Sequence, residues 1–201
     1  MRNVRDSLSA LRRRTGVKRP RWQYLVGGSI VAAIAIASGV AVAATSLEVL
    51  SDGSSGGGYT FNCGGNYITG VHGAVLVRSG TVCIEYADIT GGVAVLPGAS
   101  VLVESSIING GIGESSPNGT QICDSTVHGG VTVTGSTGFV LIGDPANGCG
   151  ANDVVSINAV NNHDGLVIVD NTVHGALLAV GNSGAGPLAG QTGPIVAGNH
   201  H

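Results

Sequence analysis

Large aromatic side chains are scarce in this chain, which has two Phe, one Trp and four Tyr among 201 residues. A layered globule builds part of its core from such rings, so this interior must be assembled from Val, Ile, Leu and Ala and is narrow. Cations are missing from most of the chain as well. Eight of the nine Lys and Arg residues lie between Arg2 and Arg21, and Arg78 is the only one after them. Every carboxylate except Asp6 lies beyond residue 45, so the formal net charge of −3 conceals a basic head and an acidic body. Phosphate recognition needs clustered Lys and Arg, which argues against a nucleic-acid partner for the body. No CxxC or CxxH spacing occurs, so the usual zinc frameworks are absent and neither a metal nor a cofactor is expected.

What the chain has in quantity is Gly, 35 residues of it, without the every-third-residue period of collagen. The glycines punctuate a recurring phrase of apolar, polar, Gly, small and apolar residues. It reads Val71-His72-Gly73-Ala74-Val75, Ile89-Thr90-Gly91-Gly92-Val93, Ile108-Asn109-Gly110-Gly111-Ile112, Val127-His128-Gly129-Gly130-Val131 and Val173-His174-Gly175-Ala176-Leu177, with a looser copy at Val154-Val155-Ser156-Ile157. The first residues of these phrases are spaced by 18, 19, 19, 27 and 19 positions. A near-constant period is the mark of a stack of similar coils. Segments such as Val131-Thr132-Val133-Thr134 alternate as strands do, with the Val side chains inward and the Thr side chains outward, while the Gly and β-branched content opposes a helix. The expected fold is all-β, a right-handed parallel β-helix whose coils rise about 4.8 Å each. Gly143–Gly148 and Gly181–Pro194 read as insertions into its turns.

Three regions follow. Residues 1–44 carry a basic start, an apolar run from Leu25 to Ala44 and an A-x-A ending, the pattern of a signal peptide cleaved after Ala43 or Ala44. The run is also long enough for an uncleaved signal anchor. Either way the body is expected outside the cytoplasmic membrane, extracellular or at the cell surface. Residues 45–58 are a Ser- and Gly-rich linker, and 59–201 form the β-helix domain.

Stacked coils bring cysteines at similar angular positions within disulfide reach, which pairs Cys63 with Cys83 and Cys123 with Cys149. An exported chain with an even cysteine count is the right setting for such bonds. His72, His128 and His174 share one place in the phrase. With Val155 on the coil between them, His128 and His174 stand about 9.6 Å apart, too far for one zinc ion. Thr132 and Thr134 form a lone T-x-T pair, so no threonine ladder for ice or crystalline polysaccharide extends along the stack. Asn118-Gly119-Thr120 matches a glycosylation acceptor, a short motif with frequent chance matches.

The words Ser125-Thr126-Val127-His128-Gly129-Gly130-Val131 and Asn171-Thr172-Val173-His174-Gly175-Ala176-Leu177 resemble the repeat of secreted, Gly-rich actinobacterial β-helix proteins, over about Asn62 to the C-terminus. More distantly the coil resembles the pectin-lyase-like superfamily. That resemblance implies polysaccharide chemistry, in which lyases use a calcium-binding carboxylate cluster with a basic residue and hydrolases use paired carboxylates. The candidates are Glu85, Glu104, Asp124 and Asp170, with Arg78 as the lone base. No lysine accompanies it and no family catalytic motif matches. The reading is therefore a non-catalytic exported scaffold, with glycan or cell-envelope material as the partner, and a polysaccharide lyase or glycoside hydrolase is the alternative. An unpaired strand edge on the last coil also offers a route to self-association.

Overall fold

The computed structural model describes residues 61–201, together with the backbone of short strands at Ile34–Ala35, Ala41–Val42 and Leu47–Ser51. The signal or anchor segment and the remainder of the linker lie outside the described residues. Leu47–Ser51 pairs in parallel with Ala74–Ser79. Among the described residues, no helix is long and apolar enough to cross a membrane.

The body is a parallel β-solenoid of about six turns. Each coil has three faces. Taking one coil as the unit, Ser100–Glu104 lies on the first face, Ile107–Ile108 on the second and Ile112–Ser115 on the third. Register is continuous from coil to coil: Val82, Val101, Thr120, Val140 and Leu166 stack on the first face. Ile89, Ile108, Val127, Val154 and Val173 stack on the second, and Val75, Val93, Ile112, Val131, Ile157 and Leu177 on the third. Inward positions form one continuous core of Val, Ile, Leu and Ala. The aliphatic interior follows from the width of the coil, because opposing strands leave room for branched aliphatic chains and little for rings.

The Gly of the phrase has a steric cause. At the corner between the second and third faces, a Cβ on Gly110 would lie 2.8 Å from the backbone of Gly91 and Gly92, and one on Gly129 would lie 2.7 Å from Gly111 N. Backbone packs on backbone there, and any side chain would push the coils apart. Two corners are one residue shorter than the rest. In the looser copy, Val154 pairs with Val127 and Ser156 already pairs with Gly130.

The other short corner corrects the first phrase. Val71 does not stack with Ile89; His72 does, and Val71 pairs with Asp88 and is 75% exposed. A register shift between Ile68 and Gly70, with Gly70 at φ 80°, displaces the first coil by one residue. Alternation then turns Val71 outward.

The remaining two corners carry polar ladders that the phrase did not reveal. Where the first face meets the second, Tyr86, Ser105, Asp124 and Asp170 adopt φ of 52°, 48°, 50° and 57°, and the residue after each points inward. Ser106 Oγ accepts from Ala87 N, Ser125 Oγ from Ser106 N, Asn152 Oδ1 from Ser125 N, Asn171 Oδ1 from Asn152 N and Asn199 Oδ1 from Asn171 N, all at 2.9–3.1 Å. A shorter ladder runs at the corner from third to first face, where Asn162 Oδ1 accepts from Ser136 N and Asn182 Oδ1 accepts from Asn162 N. These side chains supply the corner amides with acceptors inside an aliphatic core, where an unpaired N–H would cost about 1–3 kcal/mol.

Asn171→Ala removes an acceptor of Asn152 and a donor to Ile142 O and Val169 O. It is expected to lower the free energy of unfolding in urea by about 3 kcal/mol, whereas Asn109→Ala on the exposed surface is expected to change it by less than about 0.5 kcal/mol.

Candidate functional site

Two disulfides reinforce the outside of the first face. Cys63 and Cys83 are disulfide-bonded with Cα atoms 5.7 Å apart, and Cys123 and Cys149 likewise at 4.8 Å. Both pairings are those expected from the coil spacing. Their placement is more particular than simple stacking. Cys83 faces outward from the first face, and Cys63 lies in the lead-in turn over it, in a small outer cluster with Leu102 and Phe61. Cys149 is delivered by the insertion after Ile142, a 3-10 turn at Pro145–Asn147 closed by Asp144 N donating to Cys149 O and Cys149 N to Asp144 O.

The outside of the first face therefore bears a second apolar layer. Cys123, Phe139, Leu141, Cys149 and Val167 are buried there, with Phe61, Leu188 and Ile195 packed against them. Phe61 and Phe139 meet edge to face at 5.3 Å between centroids. Leu188 comes from the Gly- and Pro-rich lateral loop, which Gln191 ties down by donating to Leu166 O. This strip is covered, so it offers no open groove.

The carboxylates sit at the rim of that strip. Glu85 and Glu104 are direct neighbours in register on adjacent coils, half-buried at the end of the first face. Asp124 and Asp170 occupy the exposed left-handed corner just beyond, and Asp124 Oδ2 accepts from Ser105 Oγ at 3.3 Å. Two of the four candidates are thus brought side by side, and Asp170 is separated from Asp124 by the coil that carries the insertion. Arg78 is exposed at the opposite edge of the face, before Thr81, and the strand from Thr81 to Glu85 alone spans roughly 13 Å. The basic residue that a lyase would need is not beside the acids.

The histidines do not converge. His128 and His174 occupy the same column with Val155 between them, as their phrases indicate. His72 leaves that column because of the shifted first coil, and its Nε2 lies 2.8 Å from Thr69 O. His174 Nε2 pairs instead with Asp153 Oδ1 at 2.8 Å on the exposed second face. Among the described residues, Cys63, Cys83 and Glu85 place three potential ligand atoms within 4.8 Å of one another, but the two sulfurs are bonded to each other. Thr132 is only 6% exposed, and its column neighbours are Gly113 and Asn158, so no threonine ladder exists. The Thr of the Asn118-Gly119-Thr120 triplet points into the core.

Two features escaped the sequence reading. Tyr67 and Tyr86 are 55% and 73% exposed, the two tyrosines of the described residues, and both flank the Glu85–Glu104 pair. Tyr67 is in register with Cys83, three residues before Tyr86 and one coil away, which separates the two rings' Cα atoms by roughly 11 Å. Glu114 is the second. It is 1% exposed, stacked between Val95 and Val133 on inward positions. Its place in Ile112-Gly113-Glu114 was the available signal, since alternation from Ile112 points it inward.

The chain matches no protein-family model, no curated protein and no solved structure.

Digestion of the oxidised protein without reductant is expected to release two linked peptide pairs, one holding Cys63 and Cys83 and the other Cys123 and Cys149. Reduction of either bridge should lower stability by about 3 kcal/mol, as read from urea midpoints.

Proposed function

We propose that this protein is a non-catalytic, exported β-helix scaffold, right-handed in its coiling, that binds glycan or cell-envelope polymer at the outer corner of its first coils. The observation that carries the reading is the exposed pair Tyr67 and Tyr86 flanking Glu85 and Glu104. An exposed tyrosine ring offers a flat apolar face with a polar tip, suited to stacking on the C–H face of a sugar, and carboxylates beside it accept hydrogen bonds from hydroxyl groups. The span between the rings suits an extended oligosaccharide better than a compact ligand. A rigid stack presents such groups at fixed spacing with little ordering cost.

Two disulfides fit an oxidising compartment outside the cytoplasm. Catalysis is the weaker reading because Arg78 stands at the far edge of the face from the acids. The last coil adds a second contact surface. Leu177–Val180 and Ile195–Ala197 are each paired with a single described strand, leaving an edge for self-association.

A glycan array probed with the oxidised full-length protein, followed by titration of the best ligand, is the test. Tyr67→Ala and Tyr86→Ala are each expected to weaken binding about tenfold, in line with the loss of one stacked ring. Absence of binding to any glycan would overturn the glycan reading. Degradation of a polysaccharide, with or without calcium, that is abolished by Glu85→Gln and Glu104→Gln would replace the scaffold with a lyase or hydrolase.

A further inference from the structure

The acid inside the core is the feature that neither the scaffold nor the glycan reading uses. Glu114 lies on the third face of the central coil, sealed from solvent. Its strand pairs with Val93–Val95 on one side and Thr126–Thr134 on the other. Thr120, inward on the first face of the next coil, donates its Oγ1–H to Glu114 Oε2, and Oε1 has no partner. The inward residues around them are Val95, Val133, Val101, Ile122 and Val140, none titratable. Along the first-face strands of this coil and the next, the carboxylates Glu104 and Asp124 sit at the outer end of the face, away from Thr120. Glu114 therefore has no cation to balance it, and the lone threonine hydroxyl satisfies one of its two oxygens.

The disulfides frame this position. Cys63–Cys83 staples the first coil and Cys123–Cys149 joins the coils beyond Glu114, while the pairing of Val93–Val95 with Ile112–Ser115 is spanned by neither. Stability in a solenoid is the sum of terms within coils and between neighbouring coils, so a weak contact between two coils is a place where the stack can open locally.

We propose that the contact of Ile112–Ser115, the strand bearing Glu114, with Val93–Val95 is a proton-controlled joint, closed while the buried carboxyl is protonated and loosened when it ionises, with the stapled coils on either side as the rigid arms. Burial pushes the Glu114 carboxyl up to about 8, the Thr120 hydrogen bond lowering it only in part. The folded protein thus holds a proton that the unfolded chain releases at ordinary carboxylate pH. Below that range both states are protonated and the closed form has its full advantage. Between about pH 5 and 8 opening releases one proton, and the advantage falls as pH rises. Above about 8 both states are ionised and the dependence levels off.

Hydrogen exchange on the oxidised full-length protein tests this, using protection factors, which remove the intrinsic pH dependence of exchange. The opening constant for amides of Ile112–Ser115 is expected to rise about tenfold per pH unit between about pH 5 and 8. In Glu114→Gln this slope should vanish, and in Thr120→Val the levelling point should move to higher pH. Amides of Val82–Ile84 and Leu166–Ile168 should keep their protection. Equal slopes in the parent protein and Glu114→Gln would overturn the proposal, as would simultaneous loss of protection in all coils. Should the variant fail to fold, the carboxyl carbon shift of Glu114 in the parent decides: titration in the ordinary range of 4 to 5 would sink the idea.

Discussion

Every turn of this solenoid has to bend the chain sharply against an interior made almost wholly of aliphatic side chains. Strands on the three faces satisfy their amides by pairing with the coils before and after. The corners cannot all do so, because the backbone there leaves the ladder plane. The inward Ser and Asn side chains resolve this at two corners by accepting from the amide of the preceding coil, and a left-handed residue before most of them, Asn152 excepted, aims them inward. The third corner is tight enough for backbone to lie on backbone, and Gly is what fits. Corner chemistry thus sets the coil length, and coil length sets the width of the core.

That width explains both the composition and the way the chain compensates for it. A narrow aliphatic column buries little surface per residue. The molecule adds burial on the outside of one face, where Phe61, Phe139 and Leu188 meet around the disulfides. The insertion at Asp144–Cys149 and the lateral loop are therefore structural parts, one delivering a cysteine and the other a leucine to this outer layer. A loop that looks like decoration in the sequence closes the side of the stack most open to solvent.

The coil period, the strand alternation and both cysteine pairs were legible in the sequence because each depends on local spacing. The register of the first coil was not: His72-Gly73-Ala74-Val75 matches the phrase, yet the coil has one residue fewer from Ile68 to Gly70 than its neighbour has from Ile84 to Ala87, which shifts it by one position. The ladder residues were visible as the first letters of Ser125-Thr126-Val127 and Asn171-Thr172-Val173, but their role needs the next coil to be in place. Among site residues, the neighbourhood of Glu85 and Glu104 followed from the period, whereas the shifted first coil sets Tyr67 in register with Cys83, not with Glu85 as the period alone would place it. The outer apolar layer was invisible because Phe61, Phe139 and Leu188 are far apart in sequence.

Glu114 separates what stability selects from what this core contains. A valine there would continue the column of Val95 and Val133 and remove the unpaired Oε1. Replacing a buried acid by an apolar residue of similar shape is commonly neutral or stabilising, so packing alone does not account for it. The cost is concentrated in one coil between two stapled segments, and it depends on pH because the acid is the only titratable side chain among the inward residues around it. A polar group placed at random in this stack would weaken it at every pH. A lone carboxyl at an unstapled contact weakens it only where a proton can leave, which gives a rigid scaffold one place to yield.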